Sequence, residues 1–156
     1  MPVDRSHDAA NDAERERLRA LVARLSDAEL SRPMPAGWTA AAMLAHAAFW
    51  DARAIFALER WAMTGVEPPP GDYEPDDVSW INESAKPLCL ALPPRAAAEL
   101  ALRLAEEADA KIKALSDEMV EKIRALGPFS ISRAEHRREH LDDIERALGP
   151  SGERRR

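Results

Sequence analysis

The chain has 156 residues, enough to bury one hydrophobic core, and its 28 acidic and 22 basic side chains give a formal charge of −6. This acidic balance argues against a nucleic-acid-binding protein, which would carry a basic face. Good helix formers dominate and β-branched residues are scarce, so the composition favours an all-α fold.

The composition also bears on where the protein works. The single cysteine, Cys89, excludes an internal disulfide and suits a reducing cytoplasm. No apolar signal-peptide segment follows Met1, and the apolar stretch over residues 40–50 is interrupted by His46 and is too short to span a bilayer. We therefore expect a cytoplasmic protein that does not act at a membrane.

The N-terminal part of the chain predicts a tail and a first helix. Residues 1–10 are polar and are expected to form a flexible tail, with His7 exposed to solvent. Apolar residues at helical spacing predict a helix over residues 11–25. They are Leu18, Leu21, Val22 and Leu25. The S-D-A-E pattern at residues 26–29 is a capping box that starts a further helical turn.

A second helix should lie at the centre of the fold. The prolines and glycine of residues 32–37 predict a loop, after which Thr39 is a candidate N-cap. The helix that follows extends to Met63 and is apolar almost all round in its first half, which is typical of a buried helix. The proline-rich residues 66–75 then predict a loop.

The region after this loop is predicted to contain an interrupted helix and a long one. Helical character begins near Asp76, but Pro87 and the prolines at 93–94 are expected to break it up. A stripe of alanines, leucines and one isoleucine predicts a strong helix over residues 95–115. Asp109 and Lys113 should form one of the i,i+4 pairs on its solvated face.

The C-terminal part completes the bundle. A short helix is predicted over residues 117–125, and a second capping box at residues 132–135 opens a last helix that ends at Gly149. Residues 150–156 form a basic tail. The whole pattern predicts an all-α four-helix bundle domain over residues 11–149, with short extra helical segments in its loops.

Three of the four histidines fall on inward-facing positions. The buried stripe of the last helix, marked by Leu141 and Ile144, extends backwards by helical steps through His140 and His136. Side chains four residues apart are neighbours, so two imidazoles at this spacing can bind one metal ion. His46 interrupts the most apolar helix, and a buried imidazole without a partner costs about 1–3 kcal/mol. These three histidines are therefore candidate ligands of one metal.

Other interpretations of the histidines exist. A single buried histidine such as His46 is often a core residue with a hydrogen-bond partner. An i,i+4 pair among charged residues, here Arg137, Arg138 and Glu139, is often part of a solvated face. The sequence H-R-R-E-H also matches the H-x-x-E-H signature of zinc peptidases. That site needs an acidic ligand well downstream on another element, and the nearest acidic residues here lie on the same helix, so we reject it.

The motifs around these histidines resemble the DinB-like superfamily, a group of small four-helix bundles that includes the N-terminal domain of mycothiol-dependent maleylpyruvate isomerase. The resemblance rests on GWTAAAMLAHAAFWDARAI at residues 37–55 and on EHRREHLDDIERAL at residues 135–148. The first segment contains the family's Gly-Trp-Thr start and Leu-x-His motif, and the second contains His-x-x-x-His. LSDAEL at residues 25–30 and WIN at residues 80–82 extend the resemblance over most of the chain.

The resemblance implies a site and a kind of chemistry. The family's metal triad maps onto His46, His136 and His140, and implies a divalent ion, often zinc or nickel, with open positions for water or substrate. Better-studied members are thiol-dependent isomerases and thiol S-transferases, which implies a low-molecular-weight thiol as co-substrate. The isomerase has a second domain that contributes to its site, and this chain ends after the fourth helix, so maleylpyruvate isomerisation itself is not expected.

Further residues are candidates for lining a substrate pocket. Phe49 and Trp50 follow His46 by three and four residues, and Trp80 and Asn82 follow the proline-rich loop, where a substrate rim is expected. Phe49 and Trp50 are equally well explained as bundle core, and Asn82 as a helix cap. Trp38 is expected to be a packing residue at the start of the second helix.

Two classes of function remain open from the sequence. The first is a metal-dependent enzyme that activates a small thiol, as a transferase or isomerase, or water, as a hydrolase. The second is a non-catalytic bundle, stabilised by metal, that binds a ligand or takes part in a stress-related interaction. For either class we expect a small-molecule ligand, no nucleic acid and self-association as a homodimer.

Overall fold

A computed structural model describes residues 1–67, 75–126 and 131–149 of the chain. Within these residues there are seven α-helices and one antiparallel hairpin of two short strands. The helices are α1 (Ser6–Arg24), α2 (Asp27–Leu30), α3 (Ala40–Thr64), α4 (Pro75–Ala91), α5 (Pro94–Lys113), α6 (Asp117–Ala125) and α7 (Ala134–Leu148), and the strands are β1 (Pro33–Met34) and β2 (Trp38–Thr39). The prediction of an all-α chain is confirmed.

The four long helices α1, α3, α5 and α7 form the bundle. Helix α5 and helix α7 each pack against both α1 and α3, while α4 packs on α3. Small side chains recur along the inner face of α5, which allows the backbones of α3 and α5 to approach closely. These are Ala97, Ala98, Ala101, Ala105 and Ala108, all at most 1% exposed. The predicted bundle with short extra helices is confirmed.

Helix α3 is the central helix of this arrangement. Among the described residues it is the one helix long and apolar enough to cross a membrane by length and composition, and 61% of its most apolar stretch is buried in the bundle. A core helix of a bundle has the same length and composition. Its packing against α4, α5 and α7 accounts for its apolar character.

Local sequence signals set several helix ends as predicted. The Ser26 hydroxyl accepts a hydrogen bond from the backbone N–H of Glu29, whose carboxylate accepts one from the backbone N–H of Ser26, so the capping box that opens α2 is formed. The Thr39 hydroxyl accepts from the N–H of Ala42 at 3.0 Å and caps α3. Helix α3 ends at Gly65, whose φ of 68° is left-handed and suits glycine.

The expectation of a flexible tail over residues 1–10 is wrong from Ser6 onward, where α1 begins, and His7 is only 6% exposed. The guanidinium of Arg5 fixes this end of the chain. It donates to the backbone carbonyl of Leu115 at 3.0 Å and pairs with the carboxylate of Asp117 at 3.0 Å. Since these partners are more than 100 residues away, local polarity could not indicate that the segment is ordered.

Pro87 lies inside α4 and does not break it, contrary to prediction. Proline removes the hydrogen bond to the carbonyl four residues earlier, that of Glu83. Both residues are exposed, so water can hydrate this carbonyl. Of the predicted loop over residues 66–75, residues 68–74 lie outside the described residues, as does the predicted tail over 150–156.

The start of α7 is fixed by another helix and not by the predicted capping box at residues 132–135. The N-cap is Arg133, whose own side chain makes no capping hydrogen bond. The buried side chain of Asn11, on α1, takes this role. Its Oδ1 accepts from the N–H groups of Arg133 and Ala134 at 2.8 and 3.0 Å, and its Nδ2 donates to the carbonyl of Ile131 at 2.9 Å.

We expect Asn11→Ala to lower the free energy of unfolding by about 2–3 kcal/mol, because it leaves two N–H groups and one carbonyl without partners in buried surroundings. Urea denaturation measures this loss. Ser116→Ala is the control, since Ser116 caps the start of α6 with its own hydroxyl at an exposed position and its loss should cost about 1 kcal/mol. Equal losses in the two variants would contradict the role assigned to Asn11.

Candidate metal centre

Three histidines from two helices converge at one place in the bundle. His46 comes from the middle of α3, and His136 and His140 come from successive turns of α7. Each contributes one ring nitrogen to a group in which all three atoms lie within 4.8 Å of one another. The Nε2 atoms of His136 and His140 are 2.9 Å apart, and the ring of His46 lies 4.7 Å from that of His140 between centroids. The structure thus brings together all three histidines singled out in the sequence.

The rings are neutral near pH 7. Burial, and then the nearby His140, lower the pKa of His46 to about 4. Burial, followed by the charges of His140 and Arg133, lowers the pKa of His136 to about 2, and burial also lowers the pKa of His140. A neutral imidazole keeps one nitrogen lone pair, which is the form that binds a metal.

The donor set fits a divalent metal ion. The Nδ1 atoms of His46 and His140 are buried and have no hydrogen-bond partner among the described residues. A metal bound through Nε2 would not change these Nδ1 atoms, but it would account for the Nε2 atoms of His136 and His140 that face each other at 2.9 Å and for the convergence of three imidazoles. Metal–nitrogen bonds of about 2.0–2.1 Å place tetrahedral ligands roughly 3.4 Å apart, so small shifts would complete a site. Imidazole suits zinc, nickel, copper and iron.

Beside the histidines lies a buried cluster of two arginines and two aspartates, here called the Arg–Asp cluster: Asp51 of α3, Asp109 of α5, Arg133 and Arg137. Both terminal nitrogens of Arg137 donate a hydrogen bond to the carboxylate of Asp109, each at 2.8 Å. Nη2 also donates to Asp51 at 3.3 Å. The Nε of Arg133 donates to Asp51 at 2.8 Å. The cluster joins α7 to α3 and α5, and so fixes the helix that carries two of the three histidines.

Sequence reasoning missed this cluster. Arg137 is 2% exposed, which contradicts the alternative interpretation of this part of α7 as a solvated face. The expected pair of Asp109 with Lys113 is wrong, because Asp109 is buried and Lys113 pairs with Asp12 at 2.7 Å. One sequence feature could have indicated it. Asp51 directly follows the apolar first half of α3, and a carboxylate buried there requires a cationic partner.

Aromatic side chains lie next to the triad. The ring of Trp38 meets that of His46 edge-on, with centroids 5.5 Å apart, so Trp38 borders the site in addition to packing at the start of α3. Trp50, one turn after His46, is half-buried and donates its indole N–H to the side-chain oxygen of Asn82 at 2.9 Å. Phe49 contacts Trp50 edge-on at 5.5 Å.

The four residues predicted to line a pocket therefore divide into two groups. Phe49, Trp50 and Asn82 form one connected set on α3 and α4, beginning one turn from His46. Trp80 is 73% exposed, and no contact links it to the histidines among the described residues. The place of Trp80 at a substrate rim stays a prediction.

A helical bundle whose second long helix gives one histidine and whose last gives two defines a class of bundle proteins with a three-histidine group that can hold a metal. The family model of the DinB superfamily matches residues 10–141, which include all three histidines. The chain belongs to the DinB superfamily, and the resemblance recognised in its motifs is confirmed. No curated protein and no solved structure matches the chain.

Proposed function

We propose that this protein is a metal-dependent enzyme that binds one divalent ion, zinc or nickel, through His46, His136 and His140 and uses it to activate a small thiol or water. One observation carries the proposal: three neutral imidazoles converge with one ring nitrogen each within 4.8 Å, and the Nε2 atoms of His136 and His140 face each other at 2.9 Å. Three protein ligands leave at least one position for an exchangeable ligand, which is the pattern of catalytic sites.

The ligand set also supports activation of a nucleophile. Within the described residues the group contains three imidazoles and no carboxylate, so it does not reduce the charge of a divalent ion. Such an ion would lower the pKa of a thiol or of water at its open position. Trp38 borders the site, while the Arg–Asp cluster holds α7 in position.

A second candidate is a metal that only stabilises the bundle. His46 is 4% exposed, and the triad joins α3 to α7, so an ion bound there would cross-link two long helices. In this case the coordination sphere would be closed. The two candidate functions therefore differ in the coordination of the metal. An exchangeable coordination position supports the enzyme, and a closed coordination sphere supports the stabilising role.

The proposed ligands are tested by elemental analysis of protein purified without chelator or nickel affinity resin. We expect about one equivalent of a single divalent metal in the wild type, and its loss in each of His46→Ala, His136→Ala and His140→Ala. His7→Ala is the matched control, since His7 is buried but lies outside the triad. Metal retained by all three triad variants would overturn the assignment, as would a wild type that takes up neither zinc nor nickel.

The open position is tested with Co²⁺, which reports its ligands through its absorption spectrum. We expect 2-mercaptoethanol to produce a sulfur-to-cobalt charge-transfer band in the Co²⁺-loaded protein, which shows that a thiolate has entered the coordination sphere. A screen for thiol transfer to electrophiles would then identify the reaction. An unchanged spectrum at saturating thiol would favour the stabilising role over the thiol-dependent enzyme.

A further inference from the structure

Arg133 uses only a part of its hydrogen-bonding capacity. It lies at the start of α7, three residues before His136, and is 9% exposed. Its Nε donates to Asp51 at 2.8 Å, and this is the one side-chain hydrogen bond it makes among the described residues. Side chains three residues apart on a helix are neighbours, so the guanidinium lies on the side of α7 that carries His136. In agreement, the charge of Arg133 contributes to the lowered pKa of His136.

Arg137, one turn further along α7, provides a comparison within the same cluster. Both of its terminal nitrogens donate to carboxylates, and each also reaches a backbone carbonyl, that of Asn11 or of Ala105, at 3.4 Å. A guanidinium has five N–H donors, and most of those of Arg137 have partners. The terminal nitrogens Nη1 and Nη2 of Arg133 have none in the described part of the chain, although the side chain is nearly buried.

The charges of the cluster explain why Arg133 remains available. The two arginines and two aspartates balance one another, and the second oxygen of Asp51 is already bound by Arg137. No further carboxylate of the cluster is left for Arg133. Because its Nε donates to Asp51, the guanidinium has a fixed orientation. Its terminal nitrogens Nη1 and Nη2 therefore need little ordering when a ligand binds.

We propose that Arg133 binds a carboxylate of the substrate through Nη1 and Nη2, which assigns to the site a small organic acid whose reacting atom lies beside the three histidines. The two terminal nitrogens present parallel N–H donors that match the two oxygens of a carboxylate. The inference rests on the proposed function, because it names the substrate class of the same site. Arg133 positions the substrate and takes no part in bond making.

The test uses propionate as the probe and the backbone amide of His136 as the reporter in ¹H–¹⁵N NMR, in protein as purified and after removal of metal by a chelator. We expect saturable shifts under both conditions. Arg133→Lys keeps the charge but loses the paired donors and should weaken binding about tenfold. Arg133→Met should abolish it, and Arg138→Met, an exposed arginine on the same helix, should not change it.

Equal dissociation constants for wild type and Arg133→Met would overturn the inference, and tighter binding of inorganic phosphate than of propionate would overturn the carboxylate assignment. Circular dichroism checks that the variants are folded. Metal content is measured separately. One equivalent of metal without Arg133-dependent binding overturns this inference and leaves the proposed function standing. Arg133-dependent binding in a protein that takes up no metal supports the inference and overturns the proposed function.

Discussion

Arg137→Met is expected to lower the free energy of unfolding by about 3–5 kcal/mol, the usual cost of removing one partner of a buried ion pair. Asp109 is 2% exposed and would lose the paired hydrogen bonds from Arg137, which are both 2.8 Å long. Arg15 would remain as its only cationic neighbour in the described chain, through a single nitrogen at 2.7 Å. A buried carboxylate compensated in this way is poorly stabilised, so the free energy of the folded state rises and the free energy of unfolding falls.

Arg138→Met is the matched control for this prediction. Arg138 is the next residue on the same helix, its side chain is 51% exposed, and it pairs with Glu14 at 3.1 Å. Such exposed pairs contribute about 0–1 kcal/mol. Chemical denaturation of the two variants should therefore separate them by several kcal/mol. Similar stabilities would show that the cluster contributes little.

A double variant shows whether uncompensated charge is the cause of the loss. Arg137→Met combined with Asp109→Leu removes both charges and leaves Asp51 paired with Arg133. Replacing a buried pair by apolar side chains is often close to neutral. We expect the double variant to recover part of the stability lost by Arg137→Met, and a further loss would point to packing and not to charge.

The parts of the fold that the sequence predicts well are those set by neighbouring residues. Helix α6 spans Asp117–Ala125, the predicted range, and the ends of α3 follow from Thr39 and Gly65. The inward direction of the three histidines follows from helical spacing alone, since each replaces an aliphatic residue in a buried stripe. Signals of this kind act within one or two helical turns.

The parts that were missed depend on partners on other helices. Arg137 and Asp109 have the composition and spacing of a solvated face, and only the packing of α7 against α5 makes them a buried pair. Asn11 and Arg5 bind groups more than 100 residues away, so their local sequence contains no sign of these contacts. A charged residue on a helix is usually solvated, and periodicity does not identify the exceptions.

The metal-free protein is expected to lose stability as the pH falls from about 6.5 towards 5. In the folded state burial lowers the pKa of His46 to about 4 and that of His136 to about 2, against an ordinary value of 6.5. Above pH 6.5 both rings are neutral in the folded and the unfolded chain, so their contribution is fully present. Below it the unfolded chain takes up protons that the folded chain does not, and the unfolded state is favoured. Each histidine then lowers the free energy of unfolding by about 1.4 kcal/mol per pH unit, so the two together lower it by roughly 3 kcal/mol per pH unit.

Urea denaturation of chelator-treated protein between pH 7 and 5 measures this slope. The window ends above the range where the carboxylates of the many surface ion pairs begin to protonate. His46→Leu removes one titrating ring and should reduce the slope by about 1.4 kcal/mol per pH unit, whatever its effect on stability at pH 7. Since His7, whose pKa burial also lowers, is present in both proteins, its contribution cancels. Identical slopes would mean that His46 takes up its proton in the folded state, in which case the ring is not held neutral and ready to bind a metal.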